Sequence, residues 1–186
     1  MPKAANAVPP CPLQTLTQVK GRVLNTSVYR QRREIRMQPT YIIGGIVLDR
    51  TTIDRIVDLR QLVLGVGQMP EDNHRDTRHF GAFHEADEKR QNPVSCVSYM
   101  RERYGNLEAW RLNGLATHPS ERGKRIAFYM LPLTERLMIA EDESVKSFWC
   151  YAREAACSTY VKDGWEFASG LFVRKGRSYF IMTKRC

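Results

Sequence analysis

One segment, residues 115–127 (Leu-Ala-Thr-His-Pro-Ser-Glu-Arg-Gly-Lys-Arg-Ile-Ala), constrains the fold more than any other part of the chain. It joins the end of an apolar strand to a turn with Pro119, and then to a basic loop with Gly123 before a new helix. The first turn of a helix presents unpaired backbone N–H groups and the positive end of the helix dipole. The order of strand, turn and helix therefore predicts an anion site suited to a diphosphate.

The residues of this loop fit the same purpose. Gly123 allows a ligand to approach the backbone closely, and Arg122, Lys124 and Arg125 add positive charge. Ala127 is small enough to leave the approach open. On its own, the pattern is also typical of a surface helix that begins with solvated basic side chains.

Hydrophobic and turn patterns divide the rest of the chain into alternating strands and helices. This order predicts a mixed α/β fold with one central sheet. Residues 69–77 read as a loop or a short helix, and Pro132 is a defect in the second predicted helix. The predicted strands are residues 41–48, 79–84, 94–100, 107–117 and 145–152, the helices 53–63, 121–140 and 153–162, and the final hairpin 166–173 with 178–184.

A second informative segment lies after the fifth predicted strand. Ala156 and Tyr160 are four residues apart and share one helix face, Gly164 suits the end of that helix, and Trp165 begins the hairpin. The alternative is a short helix that packs Tyr160 and Trp165 into the core.

Together the two segments resemble the GNAT superfamily of N-acetyltransferases. Residues 122–127 look like its Q/R-x-x-G-x-G/A pyrophosphate loop, and residues 156–165 are similar to its A-x-x-x-Y-x-x-x-G-F/W helix. One position departs from the family, because Arg125 stands where glycine is most frequent. The resemblance implies a mostly antiparallel, twisted central sheet flanked by helices and splayed between the fourth and fifth strands. It assigns residues 41–186 to a GNAT-like domain and leaves residues 1–40 as an N-terminal extension.

The function implied by the resemblance is transfer of an acetyl group from acetyl-CoA to a primary amine, by direct attack in a ternary complex. The backbone at the end of the fourth strand would bind pantetheine and the oxyanion, and the loop would hold the pyrophosphate. The implied cofactor-binding residues are Leu115, Ala116, Thr117, Arg122, Gly123, Lys124, Arg125, Ile126, Ala127 and Tyr160.

Tyr160 is the implied general acid, since a phenol in good geometry can protonate a thiolate leaving group. The candidates for the base are Glu108, on the fourth strand, and His79, on the second. The base remains open, because His84 and Glu85 are on the same strand region as His79 and could line the acceptor side, and His118 directly follows the splay. His74, His79 and His84 recur every five residues, a spacing that puts them on no common face, so no metal site is predicted.

The acceptor is also open. Glu71, Asp72 and Asp76 follow the first predicted helix, where GNAT proteins place an acceptor-shaping loop, and they would suit a cationic amine. A solvated loop fits the same residues equally well.

The net charge of +9 is concentrated in residues 1–40, which carry seven basic residues and one acidic residue. This basic arm keeps an alternative open: a non-catalytic protein that binds acyl-CoA or RNA. A third interpretation joins the two, with the arm recruiting an acidic or nucleic-acid-linked acceptor. A homodimer is left open as well.

The location of the protein is predicted from what the sequence lacks. Its five cysteines include no C-x-x-C pair, which favours reduced thiols. The first ten residues lack an apolar core, and the longest apolar stretch, residues 41–48, is short for a membrane span. We therefore expect a cytoplasmic protein with no membrane partner.

Overall fold

A computed structural model describes residues 40–145 and 147–186. The predicted basic extension, residues 1–40, lies outside the described residues apart from Thr40. The described strands are β1 Thr40–Ile43, β2 Ile46–Thr51, β3 Thr77–His84, β4 Ser95–Arg101, β5 Ala109–Thr117, β6 Ser147–Arg153, β7 Glu166–Phe167, β8 Phe172–Arg174 and β9 Arg177–Arg185. The helices are α1 Ile53–Leu64, α2 Ile126–Glu141 and α3 Cys157–Lys162, with 3-10 turns at Pro70–Asn73, Pro119–Glu121 and Glu154–Ala156.

All of these strands belong to one sheet, in the order β1-β2-β3-β4-β5-β6-β9-β7, with β8 also paired to β9. Every neighbouring pair is antiparallel except β5 and β6, which are parallel. A parallel pair needs a crossover connection, and α2 provides it. The prediction of a mixed α/β fold with a mostly antiparallel sheet is confirmed.

Several element boundaries differ from the prediction. The single strand expected at residues 41–48 is a hairpin, because Gly44 and Gly45 take φ values of +53° and +74° and turn the chain. The predicted fourth and fifth strands are consequently β5 and β6. Helix α2 begins only at Ile126, since Gly123 and Arg125 both have positive φ. Pro132 is accommodated inside this helix.

The core has two layers, one on each face of the sheet. On one face, α1 buries Ile53, Ile56 and Leu59 against Cys96 of β4 and Ala116 of β5. Leu62, another apolar residue of α1, is 62% exposed. On the other face, α2 and the sheet bury a larger cluster that includes Phe80, Tyr99, Trp110, Leu112, Met130, Leu131, Met138 and Phe148.

A buried polar network ties the C-terminal strands to α2. The Trp165 Nε1–H donates to Glu135 Oε1 at 2.9 Å, and Lys184 Nζ lies 2.6 Å from Glu135 Oε2 and 3.0 Å from Asp163 Oδ2. Burial, reinforced by the nearby negative charge of Asp163, raises the pKa of Glu135 to about 7. Two carboxylates share one ammonium group, so the network orders β9 against α2.

Cys96, Cys150 and Cys157 are buried and form no disulfide with a described residue, and Cys186 is exposed. Cys11 lies outside the described residues. Among the helices that the structure describes, none has the length and apolar character needed to cross a bilayer.

Candidate functional site

The parallel pair β5 and β6 is short, and the two strands then part. Their paired residues run only from Ala109 with Ser147 to Leu112 with Cys150. Beyond these four pairs, β5 stays bonded to β4 and β6 stays bonded to β9. The predicted splay is therefore present, and we call the gap between residues 113–117 and 151–153 the wedge. Among the described strands, none pairs with this side of β5 beyond Leu112, so its backbone groups there can bind a ligand.

A bulge in β5 lies where this strand leaves β6. Cys96 pairs with Ala116, but Ser98 pairs with Asn113, so one residue of β4 faces two residues of β5. Gly114, within the bulge, has a φ of +66°. A bulge of this kind re-aims the strand, and here it directs residues 115–117 away from β6.

A buried ion pair lies directly against the bulge. Arg60 of α1 is fully buried, and its Nη1 donates to both carboxylate oxygens of Asp72 at 2.8 Å. Its Nη2 donates to the Ser98 hydroxyl. A Cβ atom on Gly114 would lie 2.5 Å from Arg60 Nε. In the sequence, the bulge is indicated by Gly114 itself, because a glycine inside a strand pattern is typical of a bulge or of a close approach to the backbone.

We expect Gly114→Ala to lower the free energy of unfolding by about 3 kcal/mol, because it combines positive-φ strain with overlap on a buried, paired arginine. The measurement is chemical denaturation monitored by circular dichroism. Gly105→Ala is the matched control, since Gly105 has a φ of +59° with open space at its Cβ position. It should lose only about 1 kcal/mol. Equal losses in the two variants would contradict the role of Arg60.

The basic loop forms one wall of a cavity at the start of α2. After the 3-10 turn Pro119–Glu121, the left-handed residues Gly123 (φ +81°) and Arg125 (φ +61°) bend the chain into the helix. The cavity has a volume of about 590 Å³. Its lining residues are Thr117, Glu121, Arg122, Gly123, Arg125, Ile126, Ala127, Phe128, Thr159 and Lys162.

Six of the predicted cofactor-binding residues line this cavity: Thr117, Arg122, Gly123, Arg125, Ile126 and Ala127. Leu115, Ala116 and Lys124 do not line it. Leu115 and Ala116 belong to the part of β5 that borders the wedge. Thr159 and Lys162 were missed by the sequence analysis, although they lie one residue before and two residues after Tyr160 in α3.

The cavity is electrostatically suited to an anion. The Arg125 side chain makes no capping hydrogen bond at the start of α2, and the first turn of that helix contains no acidic residue. The one carboxylate in the lining, Glu121, is bonded to Lys124 Nζ at 3.0 Å. That hydrogen bond is the largest cause of the lowered pKa of Glu121. The N–H groups at the start of α2 and the positive charges of Arg122 and Lys162 therefore make the electrostatic potential of the cavity positive.

Arg125 has a left-handed backbone conformation that favours glycine, the residue most frequent at this position in the GNAT pattern. Arginine at this position therefore costs conformational free energy. We expect Arg125→Gly to raise the free energy of unfolding by about 0.5–1 kcal/mol. Glycine relieves the left-handed strain, but part of this gain is lost because glycine adds conformational entropy to the unfolded chain. Arg122→Gly is the control, since Arg122 has a φ of −66° and gains no relief. It should lower stability in the same denaturation experiment. A loss of stability in Arg125→Gly would contradict the strain argument.

Of the three predicted catalytic residues, Tyr160 lies nearest to the wedge. It is 4% exposed, and its hydroxyl interacts with the thiol of Cys150, which is the last residue of β6 that pairs with β5. Its ring packs edge-on to Trp165, with 5.3 Å between the ring centroids. Burial, above all, holds the pKa of Tyr160 well above its usual value. Burial thus keeps the phenol protonated beside the last β5–β6 pair, where Tyr160 packs in the core with Trp165 and does not line the cavity.

Glu108 and His79 are not brought to the wedge. Glu108 precedes the closed end of the β5–β6 pair and forms ion pairs with Arg101 and Arg103, each at 3.3 Å. Both ring nitrogens of His79 are engaged, Nδ1 with the Ser98 hydroxyl at 2.6 Å and Nε2 with the carbonyl of Asp72 at 2.9 Å. Burial lowers the pKa of His79 and favours its neutral form. Their assignment as the base remains a prediction.

The remaining candidates also have definite surroundings. His84 lies 3.6 Å from Glu121, and His118 Nδ1 lies 2.7 Å from the Ser120 hydroxyl. Glu85 is exposed at the end of β3. Within residues 40–145 and 147–186, no group of three histidine, cysteine, aspartate or glutamate side chains is arranged to hold a metal ion.

Comparison with known proteins gives a clear answer for the fold. A scan with protein-family models finds no match, and no curated protein sequence matches the chain. Solved acetyltransferase structures do match, as the following three illustrate.

The ribosomal-protein-S5-alanine acetyltransferase of Vibrio fischeri superposes with a TM-score of 0.60 at 9% identity, covering 80% of this chain and 97% of that one. NAA60 of Arabidopsis thaliana, in complex with a bisubstrate analogue, has a TM-score of 0.60 at 10% identity, covering 75% and 97%. An aminoglycoside 6'-N-acetyltransferase complexed with coenzyme A has a TM-score of 0.54 at 14% identity, covering 74% and 96%. The chain therefore has the GNAT fold.

Proposed function

We propose that this protein is an N-acetyltransferase that moves an acetyl group from acetyl-CoA to a primary amine. One observation carries the proposal: Thr117, the last residue of β5, borders the wedge and also lines the cavity at the basic loop. A diphosphate at the loop would thus have an extended, unpaired strand edge beside it. The likeness in fold to acetyltransferases supports the same proposal.

The donor would be held by main-chain groups. The N–H groups at the start of α2 and in the loop, with Arg122, Lys124 and Arg125 around them, would bind the pyrophosphate. Lys162 of α3, which also lines the cavity, adds a further cation. Pantetheine would then pair with residues 115–117 of β5 as an added strand.

The reaction would proceed by direct attack. The neutral amine adds to the thioester carbonyl, and the resulting oxyanion is stabilised by backbone N–H groups on the open edge of β5. Collapse of this intermediate breaks the C–S bond and expels the CoA thiolate. Tyr160 donates its phenolic proton to that thiolate, and the amine nitrogen loses a proton to a base.

The position of Tyr160 supports the acid role. Its hydroxyl is beside Cys150, where the strands part, and the phenol is protonated at neutral pH. We expect Tyr160→Phe to lower kcat roughly 10²-fold while CoA affinity changes by less than about twofold. Steady-state kinetics and calorimetry measure the two quantities.

Tyr99→Phe is the matched control for this variant. Tyr99 is also buried, and its hydroxyl bonds to that of Thr134 at 2.8 Å within the main core. Its loss should cost about 1 kcal/mol of stability and leave kcat within about twofold. Unchanged turnover in Tyr160→Phe would remove Tyr160 from the acid role.

The diphosphate site is tested by a pair of glycine variants. Gly123 and Gly176 have φ values of +81° and +70°, and a Cβ atom on either would meet nothing within 4 Å. Alanine should therefore cost both sites about 1 kcal/mol of stability. Only Gly123→Ala places a methyl group at the loop, and we expect it to weaken CoA binding roughly tenfold or more by calorimetry. Equal CoA affinities in the two variants would contradict the site.

The alternative is a binding protein without turnover, and the net charge of +9 keeps it in view. Incubation of the full chain with radiolabelled acetyl-CoA and a panel of amines separates the two classes. Transfer of label to any amine supports the enzyme. CoA or salt-sensitive RNA binding without transfer to any of them favours the alternative.

A further inference from the structure

Three arginines lie on one face of the sheet at the mouth of the wedge, and we call Arg153, Arg174 and Arg177 the arginine cluster. Arg174 of β8 pairs with Arg177 of β9 across the turn Lys175-Gly176. Arg153 of β6 pairs with Tyr179, two residues further along β9. Paired residues project to the same face, and so do residues two apart in a strand. All three side chains therefore share a face.

This face is the one that carries α1. Arg153 Nη2 and Arg177 Nη1 both donate to the carbonyl oxygen of Leu64, the last residue of α1, at 2.7 Å each. The alternate residues of β6, Phe148 and Cys150, belong to the core beneath α2 on the opposite face. A donor at the basic loop would thus approach from the α2 side, which leaves the α1 side of the wedge to the acceptor.

An aromatic surface adjoins the arginine cluster at the point where the strands part. Tyr151 is the first residue of β6 beyond the last pair with β5, and it is partly buried. The guanidinium carbon of Arg174 lies 4.5 Å from its ring centroid, and the Phe172 ring lies 6.0 Å away. The surface is therefore both cationic and aromatic.

Among the described residues, no carboxylate balances the charge of the arginine cluster. Arg111, which also lies over the Tyr151 ring at 5.3 Å, is paired with Glu102 at 2.7 Å. Within the part of the chain that the structure describes, the three arginines of the cluster form no ion pair with a carboxylate. Each guanidinium has five N–H donors. The carbonyl oxygen of Leu64 accepts one hydrogen bond from Arg153 and one from Arg177, so most of these donors remain for a ligand. Forked donors of this kind match the two oxygens of a carboxylate or phosphate.

We propose that the acceptor amine also carries a carboxylate or phosphate group, which the arginine cluster holds while the amine lies in the wedge beside Tyr151. This proposal rests on the proposed acetyl transfer, since it names the class of its acceptor. It also replaces the cationic amine suggested by the acidic loop. The Asp72 carboxylate is already paired with buried Arg60, and the Asp76 carboxylate lies beside His74 and Arg75.

The test is equilibrium binding of four matched ligands to the full chain, with and without CoA. The ligands are 4-(aminomethyl)benzoate, its phosphonate analogue, 4-(aminomethyl)benzamide and 1,4-bis(aminomethyl)benzene, which share one aromatic ring and one aminomethyl group. We expect at least one anion to bind about tenfold more tightly than the amide, and the diamine to bind most weakly. The stronger of the two anions identifies carboxylate or phosphate as the group recognised. Equal affinity for the anions and the amide, tighter binding of the diamine, or no binding of either anion up to about 10 mM overturns the proposal.

A pair of variants locates the effect. Arg174→Gln removes one cation that makes no hydrogen bond to α1, whereas Lys175→Gln removes one exposed cation from the same turn. We expect the preference for the anion to fall to about threefold or less in Arg174→Gln and to stay within about twofold of the parent value in Lys175→Gln. Equal losses in both would show that diffuse charge is responsible and would overturn the cluster assignment. CoA titration of the same samples tests the donor site separately, since a failure there leaves the anion measurements readable.

Discussion

The parting of β5 from β6 is the constraint on which the rest of the site depends. Buried backbone N–H and C=O groups need partners, and β5 loses its neighbour after Leu112. The bulge at Gly114 lies at this break, and the buried Arg60–Asp72 pair lies against it from the α1 side. An extended ligand can then supply the hydrogen-bond partners that β6 does not provide. The gap is thus a consequence of local backbone geometry that is reinforced by packing.

The two faces of the sheet give the wedge two different entrances. On the α2 side, a left-handed basic loop and the start of a helix present N–H groups and cations to a small cavity. On the α1 side, the arginine cluster and Tyr151 form a cationic, aromatic surface. Tyr160 lies on the α2 side, beside Cys150. The cations of the basic loop and those of the arginine cluster are thus on opposite faces of the sheet.

Local sequence rules succeeded where one residue decides the backbone and were less accurate where packing decides. Gly123 and the turn before it were sufficient to predict the loop, because few other residues permit that path. The Gly44-Gly45 turn was read as part of one strand, since its β-branched neighbours dominate the pattern. Asp72 was read as a surface charge, although Arg60, twelve residues earlier, buries it.

By itself, the sequence determined the order of most elements, the mixed fold and the position of the glycine-containing basic loop, because these depend on neighbours along the chain. Only the tertiary structure decided which partners the charged and polar side chains have, since that depends on which strands pair. Glu108 became a partner of Arg101 and Arg103 at the closed end, and His79 became part of the support of the bulge. The arginine cluster has no sequence pattern at all, because its members come from three strands that only the sheet brings together.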